Sequence, residues 1–145
     1  MFFDQSTPTA DSILSNFLKT MEQVTSTLKE LSLKNPKLPV NPTYEEVKAA
    51  SKLLDEIDDE LVKQHKIILE SSLAVRISYF TGKTDNRDVQ AKRDLINLVD
   101  KNTFDKYQEL NTTVSNAQAK IYDLFTAELN KSKRKHFWRE LLMRK

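Results

Sequence analysis

The sequence predicts an all-α protein, an antiparallel three-helix bundle of long helices with coiled-coil-like seams. Three observations carry that prediction. Leu14, Phe17, Met21, Val24, Leu28 and Leu31 recur at steps of three and four residues, and so do Tyr107, Leu110, Val114, Ala117, Ile121 and Leu124. Such steps keep one apolar stripe on one side of a helix. The 145 residues include a single Gly and four Pro, too few to supply the turns of a β architecture. No segment alternates apolar and polar residues long enough to make a convincing strand.

The first helix is expected over residues 11–33, with Asp11 or Ser12 capping its first turn. The stretch "KNPKLPVNP" then places Pro36, Pro39 and Pro42 at every third position, which neither a helix nor a central strand tolerates. It reads as an extended connector of polyproline II character. Pro36-x-x-Pro39 matches the core of an SH3 ligand, and a short stiff linker explains it equally well.

The second helix is expected over 43–80. Thr43 and Glu46 form a capping box, each side chain accepting from the other's backbone N–H. Its main stripe is Val47, Ala50, Leu54, Ile57, Leu61, Ile68 and Val75, with polar gaps at Gln64 and Ser71. A second stripe of Leu69, Leu73, Ile77 and Phe80 begins near its end, which predicts a broader buried face or a bend there. Gly82 suits a left-handed C-cap, and Asp85, Asn86 or Asp88 suits the next N-cap.

The third helix is expected over 86–130. An interruption at "DKNT", near Asn102, would divide it and make the bundle four-helical. The four Tyr residues, 44, 79, 107 and 122, fall at or near seam positions and read as core side chains with rim hydroxyls. Both long helices outrun the first, so an apolar seam is expected to stay open at one end and to meet a partner or a second copy.

Composition excludes several classes of function. The chain has no Cys, which removes disulfides, thiolate zinc sites and a thiol nucleophile. No apolar run approaches the ~18 residues of a membrane-spanning helix. No secretory leader is recognisable at the start, so the expected compartment is intracellular, cytoplasmic or nuclear. "GKT" at 82–84 resembles the end of a phosphate-binding loop, but position 77 is Ile where that loop requires Gly. "DEIDDE" at 55–60 lacks the pattern of a calcium loop, and His65 has Val62 rather than Glu three positions before it, which removes the di-iron pattern. The acidic run is expected to be a solvated face, and His65 a surface residue. No catalytic, cofactor-binding or metal-ligating residue is nominated, and no small-molecule substrate is expected.

The sharpest feature is the end of the chain. Residues 131–145, "KSKRKHFWRELLMRK", hold seven basic residues against Glu140 alone, a net charge of +6, which leaves −4 for residues 1–130. The chain therefore divides into a helical bundle, 1–130, and a basic amphipathic tail or helix extension, 131–145. On a helix Phe137, Trp138, Leu141 and Leu142 share one face, bordered by basic residues. The candidate partner-binding residues are Lys133, Arg134, Lys135, Phe137, Trp138, Arg139, Leu141 and Leu142. Such a segment can dock in a protein groove, contact nucleic-acid phosphates or lie on an anionic membrane surface. It can also pack on its own bundle. The expected function is non-enzymatic: an adaptor or complex subunit that binds protein partners or itself. The alternative is a small nucleic-acid-associated protein using the same tail.

Overall fold

The structure, a computed structural model, describes residues 9–81 and 87–143, with side chains through Lys131. It contains three α-helices: α1 (Ala10–Lys34), α2 (Tyr44–Tyr79) and α3 (Arg87–Met143). No strand occurs among the described residues. The helices run up, down and up. Tyr44 meets Phe125 at 6.0 Å, His65 meets Tyr107 at 4.7 Å and Arg76 meets Asp100 at 2.8 Å, so α2 and α3 are antiparallel. Asp11, at the start of α1, bonds Tyr79 of α2 and Lys92 of α3.

Local chemistry fixes the helix starts. Thr9, rather than Asp11 or Ser12, caps α1, its hydroxyl accepting from the Ser12 N–H at 3.1 Å. Asp11 is then free to sit in the first turn, where a carboxylate is favoured by the helix dipole. The Thr43–Glu46 capping box forms as expected, with both backbone N–H groups satisfied at 3.2 Å. Gly82, the candidate C-cap, and the candidate caps Asp85 and Asn86 lie outside the described residues, as does "GKT".

The core is one continuous stripe system. Phe17, Met21 and Val24 of α1 pack with Leu54, Ile57, Leu61, Ile68 and Val75 of α2 and with Ile96, Val114 and Ile121 of α3. The third helix does not break. Thr103 occupies a seam position seven residues from both Ile96 and Leu110, and it is buried. Asn102 points to solvent, and Asp100 is held by Arg76 and Ser72. The bundle is therefore three-helical, and α3 continues through the basic segment as helix.

One expectation is corrected and another is met in part. The Leu69–Phe80 stripe does not widen the core. Ile68, Val75 and Tyr79 keep the original face buried, and Leu69, Leu73 and Ile77 are left 55, 62 and 57% exposed. The seam beyond the end of α1 is closed in part, and Tyr44, further along, stays 57% exposed. At ~1.5 Å per residue α1 is about 37 Å long and α2 about 54 Å, and the connector fills the difference. Its Leu38 packs on the core beside Leu54, Ala117 and Ile121, where a helix of α1's length has already ended.

Leu54 is fully buried and Leu73 is mostly exposed. Leu54→Ala should cost ~2–5 kcal/mol in urea unfolding, whereas Leu73→Ala should change stability by less than about 0.5 kcal/mol. Equal losses at the two positions would contradict this core.

Candidate partner-binding surfaces

Two regions bear on partner binding: the far end of α3 and the outward side of α2. Antiparallel packing places the end of α3 beyond the start of α2. Tyr44 stands edge-on to Phe125, and Leu124 and Phe125 are the last half-buried side chains of α3 among the described ones. Every residue from Thr126 to Lys131 is exposed, including Leu129 at 55%. The helical backbone continues to Met143, about 27 Å past Phe125 at ~1.5 Å per residue. It carries Lys133, Arg134, Lys135, Phe137, Trp138, Arg139, Leu141 and Leu142, whose side chains lie outside the described residues. The sequence register changes along this run. The seam positions Leu110, Val114, Ala117, Ile121 and Leu124 are followed at the same spacing by Glu128, Lys131 and Lys135, then by Trp138 and Leu142. A polar interval separates the core stripe from a new apolar one.

A groove of about 370 Å³ lies at the root of this extension, between Val40, Pro42 and Tyr44 on one side and Leu124, Phe125 and Glu128 on the other. Pro39 of the Pro-x-x-Pro match is exposed and Pro36 is half-buried.

On α2 the outward side carries Val62, Leu69, Leu73 and Ile77, all more than half exposed. The sequence shows most of this stripe, read as a broader buried face or a bend. The signal against a broader face was available: Val47 to Val75 already supplies a complete core face, and at about 100° per residue Leu69, Leu73 and Ile77 fall well round the helix from it. Asp55, Glu56 and Asp59 precede the stripe and are exposed, as expected for the acidic run. Asp58 is half-buried and raises the Tyr107 hydroxyl above the ordinary phenol value, although burial of that ring is the larger cause.

The remaining polar groups tie the bundle together. The Arg76 guanidinium donates to Ser72 Oγ at 3.1 Å, to Asn97 Oδ1 at 3.1 Å and to Asp100 Oδ2 at 2.8 Å. Arg76 and Arg93 both lie over the Phe80 ring, and Arg93 also donates to the Tyr79 carbonyl. Lys92 bridges Asp11 at 2.9 Å and Asp88 at 3.3 Å. This end of the bundle is a clamp between helices, with its charges committed to one another. Among the described residues no group of three His, Asp or Glu side chains is placed to hold a metal ion, and no helix is long and apolar enough to cross a membrane.

His65 is a further correction. It is half-buried, and its ring stacks on Tyr107 at 4.7 Å with Phe104 at 6.1 Å. Tyr79 and Tyr107 are core residues as expected, whereas Tyr44 and Tyr122 are 57 and 71% exposed. Comparisons with protein-family models, curated protein sequences and solved structures give no significant match to this chain.

The aromatic stack predicts that His65→Ala costs about 1 kcal/mol, measurable by chemical denaturation; no loss would mean the stack is not formed in solution. The Asp11 carboxyl is held below its ordinary value of 3.8, first by the Lys92 hydrogen bond and then by Tyr79. A carboxyl lowered on folding stabilises above its unfolded value, and that contribution is lost as pH falls through the folded one. Asp11→Asn should therefore lower the melting temperature at neutral pH, and the gap from wild type should close below about pH 4. A gap that stays constant into acid would contradict the pairing.

Proposed function

We propose that this protein is a non-enzymatic helical interaction subunit whose basic, apolar-faced C-terminal helix docks on a protein partner. One observation carries the reading: α3 continues as helix to Met143, past Thr126 to Lys131, which are all exposed, and the apolar stripe of its sequence resumes there after a polar interval. A segment needed only for charge has no use for Phe137, Trp138, Leu141 and Leu142, since burying each stabilises by ~1.5–3 kcal/mol that water does not supply. Basic residues around an apolar face speed the encounter and set its orientation. The acidic balance of residues 1–130 works against general phosphate binding by the body.

Nucleic-acid association is the second reading, favoured by the cluster Lys131, Lys133, Arg134 and Lys135. Salt and mutation separate the two. Proteins retained by the immobilised full chain should be lost with Trp138→Ala and should survive moderate salt. Binding to a short duplex DNA that falls log-linearly with salt, and that Lys133→Glu with Arg134→Glu removes more completely than Trp138→Ala, would replace the first reading with the second.

A further inference from the structure

We infer that the outward face of α2 is the receptor for residues 131–145 of a second copy of this chain. The inference rests on the docking-helix reading above and supplies its occupant. The face has an order. Asp55, Asp58 and Asp59 come first, and no basic residue occurs from Leu53 to Val62. Val62, Leu69, Leu73 and Ile77 follow, exposed at 63, 55, 62 and 57%. The C-terminal segment has the complementary order: Lys131, Lys133, Arg134 and Lys135 precede Phe137, Trp138, Leu141 and Leu142.

Laid parallel to α2, the basic turn meets the acidic turn and the apolar turns meet each other. The spacings agree. At ~1.5 Å per residue, Asp59 to Leu69 spans about 15 Å and Lys133 to Leu142 about 14 Å. The opposite orientation would bring Lys133 to Lys135 to the far end of the stripe, where the carboxylates of Asp11, Asp88 and Asp100 are already paired with Lys92 and Arg76. Lys63 and Lys66 lie within the face and pair with Glu60 and Glu70 at 3.9 Å. Such exposed pairs are weak and exchange partners at little cost.

The contact has to be made between molecules. Arg76 of α2 is level with Asp100 of α3, and Lys133 is about 50 Å further along the same unbroken helix at ~1.5 Å per residue. The segment leaves from the end where α2 begins, so its own apolar stripe is out of reach.

The test is self-association of full-length chains by light scattering across a dilution series. Leu69→Asp damages the face and Leu142→Asp damages the helix. Leu69 is exposed, so its substitution should leave the far-UV helicity of the chain unchanged. Each variant alone should dissociate at no less than tenfold higher concentration than wild type. An equal mixture of the two should regain one heterologous contact, because each supplies what the other lacks. A wild type that is monomeric at all concentrations overturns the inference, as does a Leu69→Asp chain that associates normally. If Leu142→Asp abolishes capture of another protein while Leu69→Asp changes nothing, the docking helix stands and the α2 receptor falls. If Leu142→Asp lowers only the melting temperature, both fall.

Discussion

The architecture depends on unequal helix length. A stripe of apolar side chains is stable only where another element covers it, and α1, with 25 residues, covers much less than α2, with 36, or α3, with 57. Each departure from a simple bundle follows from that mismatch. The proline-rich connector runs on along the core and places Leu38 where a longer α1 would have put another turn. The last turns of α3 that meet α2 end at Tyr44 and Phe125, and after them α3 continues with polar residues before its sequence becomes apolar again.

Much of this was legible because helical periodicity is a local signal. The steps from Leu14 to Leu31 and from Tyr107 to Leu124 placed the seams to the residue, and the Thr43–Glu46 pair marked the start of α2. What failed depended on neighbours. Whether Leu69 or Ile68 faces inward is decided by where α1 and α3 stand, and both patterns satisfy the same period. "DKNT" resembles a break until Thr103 is seen on the seam and Asp100 in the grip of Arg76. His65 looked like a surface residue because its partners, Phe104 and Tyr107, are some forty positions away. Of the proposed site, the tail was visible as composition, whereas the exposed α2 stripe was visible as a pattern but given the wrong side.

The two ends of the bundle play different parts in this account. At the end holding Asp11, Tyr79, Lys92 and Arg76, the charged groups are engaged with one another across all three helices. That end anchors the bundle. At the other end α2 begins and α3 continues as helix to Met143, through a segment of net positive sequence. The acidic turn and apolar stripe on α2 give the chain a surface of the opposite charge followed by the same apolar character. The proposed self-association pairs these two surfaces.

Trp138 is the only tryptophan, so its fluorescence reports on the tail alone. The most direct measurement is its emission and its accessibility to a neutral quencher as the full chain is diluted. If the tail docks between molecules, emission should be blue-shifted and protected at high concentration, then move to the red and become quenchable on dilution, while far-UV helicity stays constant. Protection that persists unchanged through the dilution would mean that the tail packs on its own bundle, and the central claim would be contradicted.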